Sequence, residues 1–123
     1  MTVVELLEGL TLAYEPAPDG LAGWAMAAGT FASHPGRVHG GIIATLLDEL
    51  MGRAAKVVLG SPAVTMTIRC RYIAPMNVGV RHGISADIQS CEKRIARVSG
   101  RLEDEAGDLI VSATATFTCV PDS

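Results

Sequence analysis

The most chemically suggestive residues in this 123-residue chain are a histidine and two glycines, followed seven positions later by an acid. They read His39-Gly40-Gly41, then Asp48. Glycines where a helix begins leave peptide N–H groups uncovered by any Cβ. The first N–H groups of a helix have no partner within it and lie at the positive end of its dipole. Donors placed there can hold a carbonyl oxygen as it gains negative charge in acyl transfer. A tight turn that needs small residues would use the same glycines, and the pattern alone leaves both readings open. Asp48 has Gly52 four residues on and so no helical ion-pair partner, whereas Glu49 has Arg53 at the favourable spacing and reads as a surface pair. An acid without such a partner is either capped by other structure or free for chemistry. In the second case it acts as general base on a water or as nucleophile at an acyl carbon. His39 serves either to orient a substrate or to hold the turn.

Other reactive residues have simpler readings. His34 falls in a loop, and His82 on the solvated side of a strand. Arg69, Arg71, Arg81, Lys93, Arg94, Arg97 and Arg101 scatter positive charge over the strand region, most of it solvated. Cys70, Cys91 and Cys119 are widely spaced, odd in number and in no CxxC pair, which fits a reducing cytosol and neither a disulfide framework nor a zinc site. They read as core or sheet residues. No GxGxxG, P-loop, HExxH or GxSxG occurs.

Residues 2–10 have the apolar spacing of a short helix, with Thr2 as N-cap. Residues 14–20 (YEPAPDG) read as a turn region, and 21–33 as a buried strand. One long helix runs from Gly41 to about Leu59, stopped by Gly60 and Pro62. Its polar sector holds Thr45, Asp48, Glu49, Gly52, Arg53 and Lys56, and more than half of its circumference is apolar, so other structure should wrap it on most sides. Downstream of Pro62 the period changes to two. Val64, Met66, Ile68, Cys70 and Tyr72 alternate with Thr65, Thr67, Arg69 and Arg71, and three further alternating runs follow with short turns between them. One helix on a curved antiparallel sheet, an α+β layer, is the natural packing.

The length gives one domain over residues 1–123. Apolar residues make up 49 % and aromatics only 4 %, so the core must be aliphatic. The net charge of −3 argues against a nucleic-acid partner, which requires a basic face. Glu5 and Glu8 stand where a signal peptide would be basic or apolar, and no apolar run reaches the roughly 20 residues needed to cross a bilayer. The chain reads as soluble.

The stretch His39-Gly40-Gly41-Ile42-Ile43-Ala44-Thr45-Leu46-Leu47-Asp48 resembles the HGGxxATLxD signature of hotdog-fold acyl-CoA thioesterases, in the PaaI-like and Them-like branch. The run from Val64-Thr65 to Tyr72 and Pro75 is similar to that branch's VTxxxxxxYxxP strand, and Gly107 to Thr116 to its final strand. The likeness covers about residues 20–120. It implies a sheet wrapped around the long helix, two subunits joining sheets side by side, often as a dimer of dimers, and a site at the dimer interface. Asp48 then matches the catalytic carboxylate, and the Gly40 amide matches the oxyanion donor, with Gly41 completing the turn. Thr65 matches a hydroxyl residue that the partner subunit brings near the attacking water, and His39 matches the signature histidine. Many members carry Asn six residues before that histidine. Here it is Ser33, so Ser33 or His34 would supply the second contact to the substrate carbonyl. Lys93 and Arg94 would meet coenzyme A phosphates, and Glu49 is a lesser rival to Asp48. The implied activity is hydrolysis of small or medium acyl-CoA thioesters in the cytoplasm, with no metal or redox cofactor. A non-catalytic acyl-CoA sensor is the alternative, and a hotdog hydratase a third reading.

Overall fold

The alternating runs after Pro62 do form strands, and the sheet they build is larger than the sequence suggests. The computed structural model describes residues 1–120. The strands after the helix are β6 (Ala63–Tyr72), β7 (His82–Glu92), β8 (Ile95–Glu103) and β9 (Leu109–Cys119). Ahead of the helix lie β1 (Thr2–Leu7), β2 (Leu10–Ala17) and β3 (Gly20–Ala27), and the seven strands make one antiparallel sheet in the order β1-β2-β3-β7-β8-β9-β6. It curls around α1 (Gly40–Leu59), giving the α+β hotdog arrangement that the resemblance implies.

The expected helix over residues 2–10 is instead the β1–β2 hairpin. Its start, Thr2-Val3-Val4, is β-branched and suits an extended chain. Gly9 turns the chain with φ 84°, and its N–H donates to the Glu5 carboxylate at 3.1 Å. With period two, Leu10 and Leu12 face the core and are fully buried. The expected turn over residues 14–20 shrinks to Pro18-Asp19 because β2 stays extended to Ala17. The expected strand over 21–33 stops at Ala27. A 3₁₀ turn (Gly29–Phe31) and a small hairpin, β4 (Ala32–His34) with β5 (Arg37–Val38), carry the chain to the helix.

His39 caps α1, its Nδ1 accepting a hydrogen bond from the Gly41 N–H at 3.0 Å. Gly60, left-handed at φ 72°, ends the helix. Leu46, Leu47, Leu50 and Met51 are completely buried, each side chain contributing about 1.5–3 kcal/mol by leaving water. The sheet approaches closely at Gly100, where a Cβ would come 3.0 Å from Met51 Sδ and 3.2 Å from Leu47 Cδ2. Wrapping fails at the last turn, where Val57 is 73 % exposed.

His82 corrects the sequence reading outright. It is 2 % exposed, with Nδ1 2.9 Å from the Val80 carbonyl oxygen while Nε2 accepts from the Asn77 N–H at 3.4 Å. Its ring bridges the loop that precedes β7.

Candidate functional site

Strand β6 lies at the sheet edge beside α1, and one bulge in it decides which residues face the helix. Thr65 pairs with Phe117 and Thr67 with Thr116, so Met66 is an extra residue. Residues directly opposite one another share a face. Thr65 therefore shares the inner face with buried Phe117. Beyond the bulge the inner set becomes Ile68, Cys70 and Tyr72, opposite buried Ala115, Ala113 and Val111. Bulges of this kind re-aim a side chain. Here the bulge turns Thr65 toward the helix, where its Oγ1 donates to Asp48 Oδ1 at 2.8 Å. The sequence reading places Thr65 on the partner subunit's side of the site. In this structure it is bound to Asp48 of its own chain.

Asp48 is half-buried and has no ion-pair partner among the described residues. Glu49 pairs with Arg53 at 3.3 Å, as its spacing predicts. Arg53 Nη1 also donates to the Tyr14 hydroxyl at 2.9 Å. Burial works against the Arg53 charge, but Tyr14 and Glu49 outweigh it and hold the guanidinium above its ordinary pKa. Asp48, Gly52, Arg53, Lys56, Thr65 and Phe117 line a cleft of about 330 Å³. Gly52 keeps that cleft open, since a Cβ there would stand 3.3 Å from the Phe117 ring. A roomier groove of about 450 Å³, lined by Pro16, Leu21, Ala54 and Val57 among others, holds no Asp48 contact.

At the helix start, Gly41 gives its N–H to His39, and the N–H groups of Ile42 and Ile43 go to the His39 carbonyl at 3.0 and 3.2 Å. Among the described residues the Gly40 N–H has no partner. This is the uncommitted donor that the two glycines suggest. Tyr72, to which the sequence reading gives no role at the site, packs its ring carbons 3.5 Å from where a Gly40 Cβ would be. Its hydroxyl donates to the Gly40 carbonyl at 2.7 Å. Burial pushes the Tyr72 phenol above its usual pKa, with Cys70 adding to the shift, so the group stays a donor at neutral pH. Burial also raises the Cys70 thiol, opposed by a hydrogen bond with Tyr72 and reinforced by the charge of Asp48.

His39 thus caps the helix. Ser33 and His34 are exposed on the β4–β5 hairpin and make no side-chain hydrogen bond among the described residues. Lys93 and Arg94 form the β7–β8 turn, with φ of 51° and 66°, and neither lines the Asp48 cleft. All three cysteines lie on strands and are unpaired, with Cys91 exposed rather than in the core. Among the described residues no cluster of three or more potential metal ligands forms, and no helix is long and apolar enough to cross a membrane.

Comparison with known proteins adds an independent line. The family model of the thioesterase superfamily matches residues 35–111, more than half of the chain. Among solved structures, a Bacillus halodurans protein determined with CoA is 25 % identical, with a TM-score of 0.77 over 90 % of this chain and 75 % of that one. Zebrafish thioesterase superfamily member 2 is 23 % identical, with a TM-score of 0.77 over 86 % and 78 %. A thioesterase superfamily protein from Shewanella loihica is 23 % identical, with a TM-score of 0.76 over 95 % and 96 %. No curated protein matches the sequence.

Proposed function

The chain belongs to the thioesterase superfamily, and from that premise we propose that it hydrolyses acyl-CoA thioesters in the manner of the PaaI-like branch. The observation that carries this reading is a free Gly40 amide at the start of the helix that also bears Asp48, an acid with no ion-pair partner among the described residues that Thr65 orients. Asp48 takes a proton from water as the water attacks the thioester carbonyl, or attacks it directly. The carbonyl oxygen gains negative charge against the Gly40 N–H, and collapse of the adduct expels the CoA thiolate; where Asp48 is the nucleophile, water then hydrolyses the acyl–Asp48 anhydride to the free acid. Coenzyme A in the Bacillus halodurans relative supports a CoA thioester as substrate. Lys93 and Arg94, on a projecting turn, are our assignment for its phosphates.

Helix geometry favours a site shared between two copies. Gly40 and Asp48 are eight residues apart on one helix, a rise of about 12 Å. An oxyanion donor must lie about 2.7–3.1 Å from the oxygen, and the attacking atom about 3–3.5 Å from the carbon. That rise is longer than the reach from donor through carbonyl to a directly attacking carboxylate. We therefore assign the carboxylate to one protomer and the amide to the partner subunit's Gly40. The outer edge of β6 supports this assembly, as Val64 and Met66 on the strand and Ile73 just beyond it are 48, 53 and 54 % exposed. The thiols of Cys70, Cys91 and Cys119, all free, fit a cytoplasmic setting.

The test is thiol release from a panel of acyl-CoA thioesters by wild type and Asp48→Asn, with light scattering on both. Turnover by wild-type dimers or tetramers, and a loss of about 10²-fold or more in the variant, is expected. Tight binding without turnover would establish a sensor instead. Equal rates would remove Asp48 from the mechanism, and an active monomer would refute the shared site.

A further inference from the structure

Resting on that reading, we propose that Tyr72 is a positioning residue for the oxyanion donor. Its hydroxyl and the His39 imidazole grip the Gly40–Gly41 peptide from opposite ends and hold the neighbouring Gly40 N–H free for substrate. The Tyr72 hydroxyl binds the carbonyl of this peptide at 2.7 Å, and His39 Nδ1 binds its N–H at 3.0 Å. The preceding peptide, which carries the Gly40 N–H, is fixed through its own carbonyl by Ile42 and Ile43. Three of these four contacts come from the helix and its cap. Tyr72 alone reaches in from the sheet.

A consecutive pair of glycines needs such a restraint. Each has a wider range of backbone angles than any other residue, and an unrestrained pair would lose the donor's alignment. The Tyr72 ring, at 3.5 Å from the missing Cβ, also covers one side of Gly40, so a methyl there would be in ordinary contact rather than in open water. The hydrogen bond leaves the helical bonding of the Gly40 carbonyl in place, because an sp² oxygen accepts two donors. Tyr72 therefore acts on the donor's alignment and not on whether the helix forms.

Tyr72→Phe isolates the hydroxyl and keeps the ring. The variant should remain folded with the wild-type assembly state. Its kcat for acyl-CoA hydrolysis should fall by about ten- to a hundredfold, the scale of a small misplacement of a catalytic group, while KM stays within about twofold. Its Gly40 amide resonance in a ¹⁵N–¹H spectrum of the unliganded protein should shift or broaden, and solvent exchange of the Gly41 N–H should speed up several-fold. An unchanged kcat, or a loss carried by KM alone, overturns the proposal. A wild type inert toward every thioester tested rejects the hydrolase reading. The spectrum then decides the grip by itself, with faster Gly41 exchange in the variant upholding it and equal exchange overturning it.

Discussion

Replacing Thr65 by valine removes one hydroxyl from the site and almost nothing else. Valine has nearly the shape of threonine and an equal liking for a strand. The lost bond runs 2.8 Å from Oγ1 to Asp48 Oδ1. Hydrogen bonds to charged groups contribute about 1.5–3 kcal/mol. Thr65 is exposed, so water partly replaces it, and the lower end, about 1.5 kcal/mol or close to tenfold, is the appropriate figure. We therefore expect kcat/KM for thiol release to fall about tenfold in Thr65→Val. A double-mutant cycle with Asp48→Asn isolates the cause. If the hydroxyl works only by steering the carboxylate, Thr65→Val should cost little once Asp48→Asn is already in place. The same tenfold loss with and without Asp48→Asn would refute the reasoning.

Three further outcomes follow from the packing and the charges. Truncating His82 to alanine strands the Val80 carbonyl and the Asn77 N–H, and should cost about 2–4 kcal/mol in urea unfolding; a change under about 1 kcal/mol would contradict its bridging role. Cys119 has its thiol pKa lowered, chiefly by a hydrogen bond with Ser61 and further by Arg94, whereas Cys70 is raised. A lower pKa means more thiolate at a given pH, so peptide mapping after brief iodoacetamide treatment near pH 8 should find Cys119 modified before Cys70. Met66→Asp puts a charge on the exposed edge strand and should shift the protein toward monomer in light scattering, with activity lost in parallel.

The long helix, its glycine stop and the inward sets of β7, β8 and β9 were legible because periodicity reports burial on one face. Ile84, Val98, Leu102 and Phe117 are buried as their alternation predicts. The β1–β2 hairpin was not legible, because Val4, Leu6, Leu7 and Leu10 satisfy helical spacing while Val4, Leu6 and Leu10 also fit alternation, and only the pairing with β2 and β3 separates the two. The bulge at Met66 was hidden for a related reason. Val64 to Tyr72 alternates apolar and polar without a break, so the switch of facing at the bulge, which turns Thr65 rather than Val64 inward, leaves no mark in the pattern. His82 breaks the usual link between polarity and exposure, because its two ring nitrogens both find backbone partners inside. The glycines and Asp48 stood out by spacing. Tyr72 did not, since its contact with Gly40 joins residues 32 positions apart.

Thr65 and Tyr72 sit near opposite ends of β6, one tied to the acid and the other to the start of the helix. A single ribbon of backbone thus acts as a lever with two loads. Any sliding of that ribbon to admit a bulkier acyl group would disturb both attachments together. Selection or engineering for a new acyl group therefore has more freedom in the walls around Gly52 and Phe117 than in this strand.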